Sequence, residues 1–137
     1  MDPKHLEKVS HTVLFKGIDN KDIPHVLDCL DYKIAHFDKN DYIVKINSPF
    51  NGVFILLDGE MAIIRENYNG NRVVVNLFDI GDICGEALAF CGTETWPASV
   101  LALADCTLMI VHPEKILNMC SRACTFHKII LANMIRV

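Results

Sequence analysis

Positive charge is the scarcer sign in this 137-residue chain. Thirteen Lys and Arg stand against seventeen Asp and Glu, a formal net charge of -4, and the basic residues form no stripe. Clustered cations are what hold a phosphate backbone, so the chain carries no electrostatic footprint for nucleic acid of its own. Between Arg72 and Lys115 there is no Lys or Arg at all. Long apolar runs are also absent: none approaches the ~20 residues that cross a bilayer. The opening Met1-Asp2-Pro3-Lys4-His5-Leu6-Glu7-Lys8 is too polar for a signal peptide. The expectation is a soluble cytoplasmic protein with no membrane partner.

The motifs of catalysis are missing too. There is no Gly-x-Ser-x-Gly elbow and no phosphate-binding P-loop. His5, His11, His25, His36, His112 and His127 are scattered, and no His-x-His pair exists. A cupin-type metal enzyme needs its ligands converging, so the reading is not an enzyme. Cys-x2-Cys and Cys-x-x-Cys-His are likewise absent. The cysteines at 29, 84, 91, 106, 120 and 124 lie mostly within apolar patterns. Without an export signal they read as reduced core residues, since a free thiol packs as a small hydrophobe.

What is present is a core: 51% of the residues are apolar, enough for one domain at this length. Residues 1–31 read as helices. Leu6, Val9, Val13 and Leu14 recur at helical spacing, and Gly17 interrupts them. Asp19 is the expected N-cap of a second helix, with Asp22 in a box-like position and Ile23, Val26, Leu27 and Leu30 turned inward. Residues 32–112 change period to two. Strands are expected at Ile34–Phe37, Tyr42–Ile46, Val53–Leu57, Met61–Arg65, Val73–Phe78, Ala98–Ala102 and Thr107–Val111. Asn, Asp and Gly clusters separate them, as at Asp58-Gly59 and Asp79-Ile80-Gly81-Asp82. Many short strands at such intervals predict a mainly β domain with flanking helices, a sandwich or jelly roll. Residues 113–137 return to helix, with Pro113 suited to a helix start. No Gly or Pro stops the last helix before Val137, which predicts that the natural sequence continues.

The order helices, β-roll, Gly81-Asp82-Ile83-Cys84-Gly85-Glu86, then a long striped helix resembles the N-terminal sensor half of the Crp/Fnr family of bacterial transcription regulators. Leu14-Phe15-Lys16-Gly17-Ile18, Leu56-Leu57-Asp58-Gly59-Glu60, Pro113-Glu114-Lys115 and the tail Cys120 to His127 carry the same likeness. The resemblance implies a double-stranded β-helix (jelly roll) of the cyclic-nucleotide-binding-domain type, followed by a dimerisation helix. It also implies a homodimer, and DNA binding only through a helix-turn-helix domain that would follow residue 137. In that family a glutamate matching Glu86 holds a ribose hydroxyl, amides around Gly85 to Ala87 face the phosphate, and an arginine clamps it. Here Trp96 falls on the arginine position and Pro97 on the serine position after it. A buried phosphate without its cation is costly, so a cyclic nucleotide is not the expected ligand.

The candidate ligand-binding residues are therefore Gly85, Glu86, Ala87, Leu88, Trp96, Pro97 and Ala98, serving a small-molecule effector that is uncharged or aromatic. Structural roles stand beside this reading: Glu86 capping local amides, Trp96 as a core aromatic, the pocket vestigial. The candidate dimer stripe is Phe126, Ile130, Asn133, Met134 and Val137, with Asn133 able to fix register; that face could instead pack on its own β-roll. Cys120, Cys124 and His127 follow one another by about a helical turn, which leaves a thiol- or metal-based redox sensor as the alternative.

Overall fold

The computed structural model describes Thr12 and residues 15–19, 21–112 and 114. The expected N-terminal helix around Leu6 and Val9 and the segment after Glu114 lie outside the described residues. So do Cys120, Cys124, His127 and the stripe from Phe126 to Val137.

Helix α1, Ile23–Leu30, buries Ile23, Val26 and Leu27 on one face. Its N-cap is Asp22, not Asp19, and no side-chain oxygen caps it. The reason is Pro24: it belongs in the first turn, where its missing N–H costs nothing, and so fixes the start. Asp19 instead accepts a turn hydrogen bond from the Asp22 N–H at 2.9 Å. Before α1, Gly17 turns the chain at φ 87° so that Phe15 and Ile18 both reach the core.

Eight antiparallel strands follow: β1 Lys33–Phe37, β2 Tyr42–Val44, β3 Val53–Asp58, β4 Met61–Glu66, β5 Arg72–Phe78, β6 Ile83–Cys84, β7 Ser99–Ala102 and β8 Cys106–Val111. They form two four-stranded sheets, ordered β1-β8-β3-β6 and β2-β7-β4-β5. This is the mainly β roll that the alternating pattern predicts. The strand ends differ from expectation by a residue or two, and β2 stops at Val44. The two-residue β6 is an addition, because a strand so short has no period to read.

Burial of β3 organises the roll. Val53, Ile55 and Leu57 pack toward Phe15, Ile23, Leu27, Met109 and Val111. Phe54 and Leu56, on the opposite face, join Met61, Phe78, Trp96, Val100 and Leu108 between the sheets. A strand covered on both faces is apolar without alternation, as Val53-Phe54-Ile55-Leu56-Leu57 is. At its end Gly59 carries the chain from one sheet to the other at φ 92°, where a Cβ would lie 2.2 Å from the Asp105 carbonyl oxygen.

Gly59→Ala should therefore lower stability by about 2–3 kcal/mol. Gly70→Ala shares the positive φ but meets no atom within 4 Å, and should cost about 1 kcal/mol. Denaturant titrations of the two variants check the ranking; equal losses would overturn it.

Candidate functional site

The site is built where β6 leaves the first sheet. Phe54 pairs with Cys84 and Ile55 with Ile83, so β3 holds β6 in place. Gly85 follows at φ 98° and caps helix α2, Glu86–Cys91. The helix closes on Gly92 at φ 66°, where the Thr93 N–H donates to the Leu88 carbonyl at 3.1 Å. The chain then runs back along the 47–50 loop. The Asn47 N–H donates to the Trp96 carbonyl at 2.8 Å, and the Trp96 N–H donates to the Ser48 carbonyl at 2.9 Å.

These bonds drive the indole of Trp96 inward, leaving it 3% exposed. It stacks on Phe54 with centroids 5.2 Å apart and planes 10° apart. Phe50 lies at 5.3 Å, tilted by 30°. A Cβ on Gly85 would stand 3.0 Å from Trp96 Cη2 and 3.7 Å from Phe50 Cζ. Glycine is thus required at 85 twice, for its backbone angle and for room beside the indole.

Beside the indole opens a cavity of about 210 Å³. Gly85, Glu86, Leu88, Trp96, Pro97 and Ala98 line it, together with Ile83 and Cys84 of β6 and Ile63, Asn76 and Phe78 of the β4–β5 hairpin. The structure brings these expected residues together; the side chain of Ala87 lies outside the described residues. Asn76, Ile63, Phe78 and Cys84 are wall positions the sequence reading did not single out. One signal was available: Asn76 interrupts the apolar run Val73-Val74-Val75 and Leu77-Phe78. Trp96 also lines a wider cleft of about 590 Å³, with Phe54, Lys33 and His112 among its walls.

Among the described residues, no Lys, Arg or His lines the smaller cavity. Its charged group is Glu86, half-buried, whose carboxyl is pushed up by desolvation and partly held down by a hydrogen bond from its own backbone N–H. Burial first, and the Glu86 charge second, push the Cys84 thiol up to about 12. Cys84 is accordingly a neutral S–H and not a nucleophilic thiolate. The Trp96 backbone N–H is already engaged and Pro97 has none, so neither of these two residues offers an anion an amide.

The cysteines divide. Cys84 and Cys106 are buried, the latter donating its S–H to the Glu60 carbonyl at 2.9 Å. Cys91, on the last turn of α2, is exposed, which corrects its reading as a core residue. Among the described residues no group of three or more His, Cys, Asp or Glu could hold a metal ion. No described helix is long and apolar enough to cross a membrane.

The profile of the cyclic nucleotide-binding domain family matches residues 34–123. The sensor domain of the transcriptional regulator DNR from Pseudomonas aeruginosa superposes with a TM-score of 0.75 at 17% identity, covering 96% of this chain and 85% of that one. The catabolite activator protein of Thermus thermophilus gives 0.73 at 16% identity, covering 91% and 55%. The regulatory subunit of a cAMP-independent protein kinase A from Trypanosoma brucei gives 0.65 at 22% identity, covering 80% and 39%. Against the longer bacterial chains it matches, this chain spans 55–60% of their length. No curated protein matches it.

The raised Glu86 carboxyl has a signed consequence. In the unfolded chain a glutamate titrates near ~4.3. In the fold it holds its proton to higher pH, so the ionised form is penalised and stability falls as pH rises through the folded value. Glu86→Gln should raise Tm at pH 7, and the gain should vanish below about pH 4, where both states are protonated. Thermal melts across pH test this; a gain independent of pH would overturn it.

Proposed function

The chain belongs to the cyclic nucleotide-binding domain family, and from that premise we propose that it is the effector-sensing domain of a Crp/Fnr-type transcriptional regulator whose ligand is not a cyclic nucleotide. The observation that carries the proposal is that, among the described residues, no cation lines the Gly85–Glu86–Trp96 cavity. A cyclic phosphate brought there would lose its hydration and meet a carboxylate, an engaged amide and a proline. Indole packing replaces the phosphate clamp. The architecture, with a short helix on a positive-φ glycine beside a mostly apolar hollow, supports retention of a pocket with altered chemistry. The trypanosome relative is a subunit of a cAMP-independent kinase, so in that protein the fold serves regulation without cAMP.

In this reading the effector biases how two copies sit against each other. Phe126, Ile130, Asn133, Met134 and Val137 form the seam of a homodimer, and a DNA-reading domain beyond residue 137 responds to its geometry. A ligand shifts such an equilibrium only by binding one arrangement better than the other.

Calorimetric titration with cyclic AMP and cyclic GMP should show no binding at micromolar concentrations; saturation in that range would overturn the proposal. Trp96→Arg should not recover binding, because removing a stacked core indole costs about 3–5 kcal/mol and strands a charge in its place. The seam has a separate check. Ile130→Asp should weaken dimerisation at least about tenfold in sedimentation equilibrium, and an unchanged dimer constant would remove Ile130 from the interface.

A further inference from the structure

The cavity beside Trp96 has the opposite sign from a phosphate site, and that sign constrains what can enter. We propose that the effector is a small organic cation, an amine or amidine on a compact apolar body, whose N–H groups donate to the Glu86 carboxylate. The inference rests on the reading of this cavity as the effector site and names the class of ligand it takes.

Three features converge on it. The first is charge. Glu86 lines the cavity, and among the described residues no Lys, Arg or His stands on the wall with it. Its carboxylate receives its own backbone N–H and is half-buried. A desolvated carboxylate without a cation is costly, and a ligand that brings one supplies a charge-assisted hydrogen bond where none now exists. An anionic ligand would add a like charge, and a neutral one would leave the carboxylate uncompensated.

The second feature is the distribution of donors. Of the amides around Gly85 to Ala87, the Glu86 N–H is given to its own carboxylate, and in the facing loop the Trp96 backbone N–H is given to the Ser48 carbonyl while Pro97 has none. Asn76 also lines the cavity, and its side-chain amide includes an acceptor oxygen and no cation.

The third is size and polarity. About 210 Å³ lies below the ~300–1,000 Å³ of pockets for drug-sized ligands. Ile63, Phe78, Leu88 and Trp96 make the remaining wall apolar. One ring or a short branched chain fits such a space, with its charged end at Glu86.

A matched series tests the sign without knowledge of the natural effector. Benzylamine, benzyl alcohol and benzoate share a ring and differ in the head group, being cationic, neutral and anionic at neutral pH. Trp96 is the single tryptophan of the chain and lines the cavity, so its fluorescence reports binding by the whole 137-residue protein. Benzylamine should bind about tenfold tighter than benzyl alcohol, as a charge-assisted bond exceeds a neutral one, and benzoate should bind weakest. Glu86→Gln should reduce benzylamine to the affinity of the alcohol, and Glu86→Asp should keep part of the preference; melts of both variants establish that they fold. Equal binding of amine and alcohol, or an amine advantage that survives Glu86→Gln, overturns the cation and leaves the pocket standing. Preference for benzoate, or no binding of any of the three, also overturns it. Saturation by cyclic AMP in a parallel titration would bring down the parent reading as well.

Discussion

The contact between Gly85 and the indole of Trp96 is the constraint on which the site depends. It requires a residue without a Cβ in a left-handed conformation, and beside it an aromatic ring packed into the core. Both partners are fixed from behind. Gly85 follows a two-residue strand held by Phe54 and Ile55, and Trp96 is tied through its backbone to Asn47 and Ser48. Phe54 serves both sides: it pairs with Cys84 through its backbone and stacks on Trp96 through its ring. The cavity is what remains once these groups are seated, so its small volume follows from the aromatic packing.

The charge of the site follows from the same packing. The indole of Trp96 joins Phe50 and Phe54, and among the described residues no cation on the wall faces the Glu86 carboxylate. The high Cys84 thiol and the raised Glu86 carboxyl are two expressions of one environment. Both groups lose hydration in an apolar hollow, and the charge of Glu86 further discourages ionisation of Cys84.

Much of this was legible from the residues. The alternating strands, the turn at Asp58-Gly59 and the unbroken apolar β3 follow from period and composition, and the sequence has no Lys or Arg between Arg72 and Lys115. Other features depend on contacts across the fold. β6 exists because β3 pairs with it, which two residues cannot announce. Pro24 outranks Asp19 in setting the start of α1, a competition between two valid local signals. Asn76 and Ile63 come to the cavity through the pairing of β4 with β5, a register invisible in either strand alone. Cys91 sits in an apolar stretch yet is exposed, at the last residue of the six-residue α2 just before its Gly92 cap.

The walls of the cavity differ in how firmly they are held, and this bears on how occupancy could be transmitted. β3 and β6 are buried on their inner faces and paired to neighbours, so displacing them would break core packing. β5 is an edge strand; Val73, Val74, Val75 and Leu77 are each about half exposed or more, at 55%, 49%, 54% and 63%. Its pairing with β4 contains an irregularity between Ile63 and Ile64, next to the register position that brings Asn76 opposite Ile63. Of the β5 side chains only Phe78 is buried, whereas β4 is anchored by Met61, Ala62 and Ile64, and local opening is cheapest where buried apolar contacts are fewest. A ligand that engages Glu86 on one side and Asn76 on the other would therefore act between a fixed wall and a compliant one. The compliant wall carries exposed apolar surface, the property a strand needs if its position is to be felt by whatever packs against it.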